Sequence, residues 1–558
     1  MKKWNIVILL TIMIPIVFFV SCDEKNETPN TAAMTESLMN MDSKYPVTKN
    51  RYDLEMLIPS NVNVIDYATV EQTLFMEKLT NIHINFTVVP LNDINQKLNV
   101  LLNSGGKLPD VFWGCNGFFL LERMQGFGEN GLVQPLNDLL DKYAPNFTKI
   151  DKDNPNSRFR ERLTVLDGNI YGLTNMQANL QIINALPYRM WINQGFLDKL
   201  GMVMPTDITG FYNYLKAVKE KDPNGNGRND EIPLTGYLPT TASPQGAIDV
   251  FIMNMFILDD LSNHRLILNN DIISPAYTTP EWQEGLIFMN KLYREGLLDP
   301  NAFTQNLQQL KQVVEMEDAM KVGAAASFTD YAIANIGGSR IDYLKALPPL
   351  KGPKGVQTTP FLKYNDLYAG LTFVISRDCK NPAIALRWAD AFMDEDPSIN
   401  SFIRYGVLGR DWEIPQQDSG PSITGGIPRF KLINDLWGKP QNVYWGGNGL
   451  RYVAFNSYDR TPIEGYDSEV ILYNASMAYK PYAHDPVPPL LYTTEENVRI
   501  QELQVAIDNY ISESIARFTI GDLNIDKDWN SYLTELETIG IKEYIKILQG
   551  AYDRQWKK

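Results

Sequence analysis

From Tyr52 onward the chain alternates short β-type apolar runs with amphipathic segments of helical period, and this alternation constrains the fold more than any other feature. Tyr52 to Ile58 reads as a strand, Thr69 to Thr80 as a helix, and Ile82 to Pro90 as a second strand with apolar residues at every other position. Ile94, Leu98, Leu101 and Leu102 then recur at helical spacing, and the helix they predict stops at Ser104-Gly105-Gly106. Repeated strand–helix units specify an α/β protein. The 558 residues exceed what one core organises, and ~150 residues per domain allows two to four domains. No internal repeat is evident.

Ahead of that body lies an address. Residues 1–21 have a short basic start (Lys2, Lys3), an apolar run from Ile6 to Val20, and Ser21 before Cys22, the pattern of a secretory signal peptide. The run falls short of the ~20 apolar residues of a comfortable membrane span. Phe19-Val20-Ser21-Cys22 resembles a bacterial lipobox, which implies cleavage before Cys22 and lipidation, palmitate included, of that cysteine. An uncleaved anchor has nearly the same consequence: the remainder sits outside the cytoplasmic membrane, tethered to it. Residues 22–50 are polar and without apolar period, and are expected to form a flexible leash. The formal charge of −15, more negative still without Lys2 and Lys3, argues against nucleic acid as a partner. With only Cys22, Cys115 and Cys379 present, no disulfide framework holds the chain together.

One stretch, Asp222 to Glu231, has the make-up of a calcium loop. Oxygen-bearing side chains fall at alternate positions (Asp222, Asn224, Asn226), Gly225 and Gly227 let the chain turn back sharply, and Asp230 and Glu231 close the run. Calcium takes about six to eight oxygens, which short side chains converging from a tight turn supply. Counted from Asp222, the first, third, fifth, sixth and ninth positions fit an EF-hand loop, whereas Pro233 stands at the twelfth in place of a bidentate Glu. Asp230 and Glu231 supply the missing oxygens, with the carbonyl of Arg228 as a further ligand. The alternative is an Asn/Gly turn without metal.

Several segments carry a family resemblance. Asn103-Ser104-Gly105-Gly106-Lys107-Leu108-Pro109-Asp110-Val111-Phe112-Trp113 resembles the first lobe of bacterial extracellular solute-binding proteins, the family 1 group that feeds sugars and oligosaccharides to ABC importers. Asp167 to Leu173, Phe196 to Gly201 with Pro205-Thr206, Leu292 to Pro300, Leu347 to Pro353 and Asn381 to Asp390 resemble further family motifs in the family's order, over roughly residues 50–415. The loop at Asp222 is similar to the calcium loop of the long lipoprotein and oligosaccharide-binding members, which implies the same ligands: Asp222, Asn224, Asn226, the Arg228 carbonyl, Asp230 and Glu231.

The resemblance implies a two-lobe, type II periplasmic-binding-protein-like α/β fold with a hinge and a ligand cleft. Lobe one is expected at 50–183 plus 369–409, and lobe two at 184–368 plus 410–558, with an extra loop region at about 410–489. Sugar sites combine stacked aromatic rings with carboxylates, amides and arginines. Asp110 and Trp113 at a strand end, Arg189 near the hinge, Trp412 after the return segment and Trp445 in the extra loop region are the candidate ligand contacts, each with packing as its plain alternative.

Catalytic signatures are scarce. His83, His264 and His484 are isolated in sequence, and no GxSxG elbow, Walker loop or Rossmann fingerprint occurs. Cys115 as a nucleophile is outweighed by Cys115 as a small buried residue. No catalytic residue is expected. The reading is a monomeric, lipid-anchored solute-binding protein that captures an oligosaccharide by lobe closure and presents it to ABC permease subunits, without enzyme activity. The alternatives are a glycan-docking surface lipoprotein with no transport role, a peptide binder, and a secreted glycoside-active enzyme.

Overall fold

The structure is a computed structural model that describes residues 31–155, 158–177, 182–239, 244–316, 319–363, 370–400, 402–416, 418–434, 436, 440–445, 449–453 and 458–557. The signal segment 1–21 and Cys22 lie outside the described residues.

Two four-stranded sheets organise the chain. Their strands are β1 (Tyr52–Pro59), β2 (Ile82–Val89), β3 (Val111–Trp113), β4 (Met190–Asn193), β5 (Ile232–Thr235), β6 (Val322–Ala326), β7 (Leu344–Leu347) and β8 (Phe373–Ile375). The first sheet has the order β8-β3-β1-β2 and the second β7-β4-β6-β5. β1 is parallel to β2 and β3, in register Tyr52↔Ile82 and Met56↔Val111, and β8 closes that sheet antiparallel to β3. In the second sheet β5 and β6 are parallel, and β4 runs antiparallel between β6 and β7. The continuous apolar runs Met56-Leu57-Ile58 and Val111-Phe112-Trp113 suit strands covered on both faces, and all of these side chains are buried. β6 is built of small residues, Val-Gly-Ala-Ala-Ala, because β5 approaches closely: a Cβ on Gly323 would stand 2.7 Å from the Pro233 carbonyl oxygen.

Among the many helices that cover these sheets are α1 (Thr31–Leu38), α2 (Leu121–Glu129), α3 (Ile208–Glu220), α4 (Ser468–Tyr479) and α5 (Thr494–Ile520). The long α5 starts from a capping box, in which Thr493 Oγ1 accepts from Glu496 N and the Glu496 side chain accepts from Thr493 N. It stops at Gly521 in the left-handed region, φ 89°.

Each sheet has its own apolar core. The first gathers residues from Met39 to Met176 and Leu371 to Ile403, together with Trp445, Leu450 and Tyr452. The second gathers Leu186 to Leu350 and Tyr479 to Tyr552, with a satellite that includes Trp191, Tyr237, Tyr458 and Leu472. The chain therefore leaves lobe one after Met176, returns to it by Leu371, and crosses again in the region beyond Ile403.

Two expectations change. The leash predicted over 22–50 ends before Thr31: α1 is helical, Met39 and Val47 are fully buried, and Thr35 Oγ1 donates to Asn381 Oδ1 at 2.8 Å. Polar composition hid the few apolar residues that dock this segment on lobe one. The stretch 410–489, expected wholly in lobe two, divides between the lobes. Trp445 packs in lobe one, where its indole N–H donates to Thr73 Oγ1 and its backbone N–H to Gln72 Oε1, both at 2.8 Å. Four residues on, Gly449 (φ 113°) passes over Trp113 so closely that a Cβ there would stand 1.9 Å from the indole nitrogen.

Candidate functional site

Open α/β sheets meet their ligands beyond the carboxyl ends of the strands, and the crossing segments show where those ends lie. On leaving lobe one, Leu173 exchanges backbone hydrogen bonds with Thr372 and Phe373, and Phe373 pairs with Trp113, the last residue of β3. On entering lobe two, the chain reaches Met190, paired with Leu347 and with Ala326, the last residue of β6. Both crossings thus join the carboxyl end of β3 to the carboxyl end of β6. Beyond these ends run the segment after β3, Gly114 to Phe118, and those after β5 and β6, Gly236-Tyr237 and Ser327 to Tyr331.

The lobe-two segment is held from behind. Arg189 is 1% exposed. Its Nη1 donates to the Phe328 carbonyl at 2.7 Å, and its Nη2 donates to the Ile183 carbonyl at 2.7 Å and to Ser476 Oγ of α4 at 2.8 Å. The guanidinium also lies 5.2 Å from the Phe328 ring centroid. Burial lowers its pKa to about 10. Trp191 Nε1 donates to the Ser327 carbonyl at 3.0 Å. With its carbonyls at Ser327 and Phe328 fixed, the segment presents a compact set of polar and aromatic groups. Thr329 caps the turn Asp330–Ile333, and the buried Asp330 accepts from the Tyr331 backbone N–H at 3.0 Å and from the Tyr466 hydroxyl at 3.1 Å. Burial raises the Asp330 carboxyl above its ordinary pKa. Among the described residues, Asp330 Oδ2 and Ser327 Oγ are buried without a hydrogen-bond partner. Acid, hydroxyl and the rings of Phe328, Tyr331 and Tyr466 are the groups that hydroxyl rims and C–H faces require. Sequence reading passed over them, although the signal was there: Ser-Phe-Thr-Asp-Tyr directly follows a small-residue strand.

The five residues proposed as ligand contacts have other duties. Trp113 and Trp445 do meet, ring centroids 5.7 Å apart, but inside lobe one's core with Phe373, Trp388 and Phe392. The two indoles meet edge to face, at 88°, and are buried among these neighbours because large apolar rings gain from mutual burial. Trp412 is also buried, its indole N–H on the Gly406 carbonyl at 3.2 Å. Asp110 stands at the amino end of β3, away from the ligand end, where its Oδ2 accepts from Glu55 N and its carbonyl from Ser376 N. Arg189 positions the ligand segment and makes no free display of its charge. Gly446 and Gly447, beside Trp445, lie outside the described residues.

The loop Asp222–Glu231 joins α3 to β5 at the opposite, amino end of β5 and β6. Gly225 and Gly227 take φ of 75° and 74°, as the sharp reversal requires. Asp222 Oδ1 accepts from Gly225 N and Asn226 N, and its Oδ2 from Gly227 N. Asn224 and Asn226 each accept a backbone N–H two residues on, and both donate their amides to Asp230 Oδ1, at 3.1 and 3.0 Å. Lys321 Nζ lies 2.9 Å from Asp230 Oδ2. That ammonium, helped by the Asn226 and Asn224 amides, pulls the Asp230 carboxyl down to about 2. Burial raises Glu231, whose Oε2 is buried without a hydrogen-bond partner among the described residues. In kind the residues suit a hard cation: the turn is rich in side-chain oxygens, and Glu231 Oε2 is buried without a partner among the described residues. Among the described residues no three His, Cys, Asp or Glu side chains form a ready metal cluster, so amide and carbonyl oxygens of Asn224, Asn226 and Arg228 would have to complete the set.

The cysteines and histidines among the described residues are buried or paired. Burial pushes the thiols of Cys115 and Cys379 up to about 12. His83 pairs with Glu77 and His264 with Asp508, while His484 Nδ1 lies 2.9 Å from the Asp485 carbonyl.

The family profile described as Bacterial extracellular solute-binding protein matches residues 61–396. The fructooligosaccharide ABC transporter substrate-binding protein FusA of Streptococcus pneumoniae serotype 4 is 27% identical over 488 residues, 86% of each chain. Lipoprotein LipO of Bacillus subtilis is 25% identical over 352 residues, 61% of this chain and 63% of that one. Solved structures of S. pneumoniae FusA, one with kestose and one of an EF-hand mutant with fructo-nystose, superpose with a TM-score of 0.73 at 24% identity, covering 90% of this chain and 99% of FusA. The fold is the two-lobe type II architecture of solute-binding proteins.

Replacing Arg189 with Met is expected to cost about 3–5 kcal/mol of stability, because two buried carbonyls and a hydroxyl lose their donor. Lys at 189 should restore little, since one ammonium does not span the three acceptors. Urea unfolding midpoints measure both; a loss below about 1 kcal/mol for Arg189→Met would mean that the segment after β6 is held by other contacts.

Proposed function

The chain belongs to the bacterial extracellular solute-binding proteins, and from that premise we propose that it is the carbohydrate-binding component of an ABC importer, anchored outside the cytoplasmic membrane by a lipid on Cys22. The observation that carries the reading is that the crossing segments join the carboxyl ends of β3 and β6, where Ser327, Phe328, Asp330, Tyr331 and Tyr466 gather in lobe two. FusA's name makes fructooligosaccharides the first class to try, and LipO's name supports the lipid anchor. The ligand enters the cleft, the lobes close about the crossing segments, and the closed form is what permease subunits recognise; no bond is made or broken. Relatives named as binding proteins and the buried thiols and paired histidines favour binding over turnover.

We also read Asp222–Glu231 as a calcium clamp, in which Asp222, Asn224, Asn226, the Arg228 carbonyl, Asp230 and Glu231 hold the ion. Bound there, calcium supplies a hard positive charge that ties the turn to β5 and stabilises the folded state by mass action. The site lies at the far end of β5 and β6 from the ligand segment, so the metal does not touch the solute.

Calorimetric titration against a panel of fructooligosaccharides and other oligosaccharides is expected to show one-to-one binding to at least one member, with no product on long incubation. Catalytic release of product would overturn the reading, as would a silent panel. Asp330→Asn should weaken that binding by about tenfold, or ~1.4 kcal/mol. Chelator is expected to lower the melting temperature and added Ca2+ to restore it; identical melts together with a metal-free elemental analysis would remove the clamp. In a secreting bacterial host the full chain should fractionate with membranes and Cys22→Ser should not accumulate as the lipid-modified form; equal lipid labelling of both would place the anchor elsewhere.

A further inference from the structure

We propose that Lys321 is a cation built into the loop Asp222–Glu231, one that keeps the turn folded without metal and that calcium must displace from Asp230. The proposal rests on the calcium reading of that loop and assigns to Lys321 a role that the reading does not contain. Lys321 comes from another part of the chain, immediately before β6, yet its carbonyl accepts the Ile232 N–H at 2.9 Å, so strand pairing fixes its backbone beside the end of the loop. Its side chain is 14% exposed and its ammonium reaches Asp230 Oδ2. The other oxygen of Asp230 is satisfied by the Asn224 and Asn226 amides. Asp222 is likewise satisfied by three backbone N–H groups. The loop is therefore internally complete except at Glu231 Oε2, and the fixed positive charge that completes it stands on a carboxylate the metal needs.

Two cations contend for Asp230. A divalent ion bound by this carboxylate would lie within a few ångströms of the ammonium unless the lysine withdraws, and at that range their repulsion is large even with strong solvent screening. Lys321 should accordingly weaken calcium binding while supporting the metal-free fold. The competing arrangement is an outer partner: an ammonium that stays on Oδ2, orients the carboxylate for the metal and strengthens binding. The two arrangements predict opposite signs for removal of the charge.

The test is a competitive-chelator titration of Ca2+ with the mature chain and with Lys321→Met, which keeps the length of the stem, and Lys321→Gln, which keeps polarity. Melting curves are recorded for each in chelator and in excess Ca2+. Both variants are expected to bind Ca2+ about tenfold more tightly than the parent, to melt at a lower temperature in chelator, and to show a larger rise on adding Ca2+. Unchanged or weaker Ca2+ binding by variants that melt cooperatively would overturn the role of Lys321 alone. Absence of Ca2+ binding in parent and variants alike would overturn the calcium reading and this inference with it. Binding by the variants where the parent shows none would support the inference in its strongest form. Should Lys321→Met not fold, Lys321→Gln carries the same sign.

Discussion

A single buried guanidinium ties the working end of lobe two together. Arg189 sits where the chain enters that lobe, and its donors go to three separate places: the short helix just before it, the segment after β6, and α4 near the end of the chain. An arginine without a carboxylate partner is costly to bury. Here the cost is offset in part by three short hydrogen bonds from Nη1 and Nη2 to two carbonyls and a hydroxyl, and by the Phe328 ring, while Nε is buried without a partner among the described residues. The placement of Ser327 and Phe328 follows from this: their carbonyls are held by Trp191 and Arg189, so a shift of the crossing segment is felt there. A residue that looks like a ligand hook in sequence instead makes the hinge and the binding segment one mechanical piece.

The parallel pair β5–β6 gives that piece its second constraint. At the carboxyl ends stand Tyr237 and the Ser327–Tyr331 segment; at the amino ends stand Glu231 and Lys321, joined by the Ile232-to-Lys321 backbone bond and the Lys321–Asp230 ion pair. Both strands are short, so their register is set largely by what happens at the ends. Small residues in β6 let the strands approach closely, as Gly323 against the Pro233 carbonyl shows. The Lys321 ammonium at one end therefore bears on the frame that carries the Ser327–Tyr331 segment at the other.

How much of this is legible in sequence depends on the range of the interaction. The continuous apolar run of β1, the alternation along β2 and the glycine turns of the Asp222 loop are local, and local physics reads them. The tryptophans are the counter-example. Trp113, Trp412 and Trp445 have the composition of a sugar platform, but whether an indole faces solvent depends on partners hundreds of residues away: Trp388 and Phe392 for Trp113, Thr73 and Gln72 for Trp445. Asp110 fails for a simpler reason: it precedes β3 and so stands at the strand's amino end, away from the carboxyl end where open sheets bind ligands. The docking of residues 31–50 also escaped, because Met39 and Val47 are too sparse to make a period.

Lobe closure requires an inter-lobe contact weaker than either core, and the structure shows one of that kind. Where α2 of lobe one meets α5 of lobe two, the direct bonds are polar: Asn497 Nδ2 donates to the Glu122 carbonyl at 3.0 Å and Thr494 Oγ1 to Glu129 Oε2 at 2.8 Å. Burial raises the Glu122 carboxyl, with His264 of lobe two among the charges that oppose the rise. Such bonds exchange for water at little net cost, about 1 kcal/mol each, whereas parting either apolar core would expose dozens of buried side chains. Polar inter-domain surfaces of this kind leave relative domain motion as the default. A solute that touches both lobes shifts the balance of lobe arrangements only by its differential affinity for them.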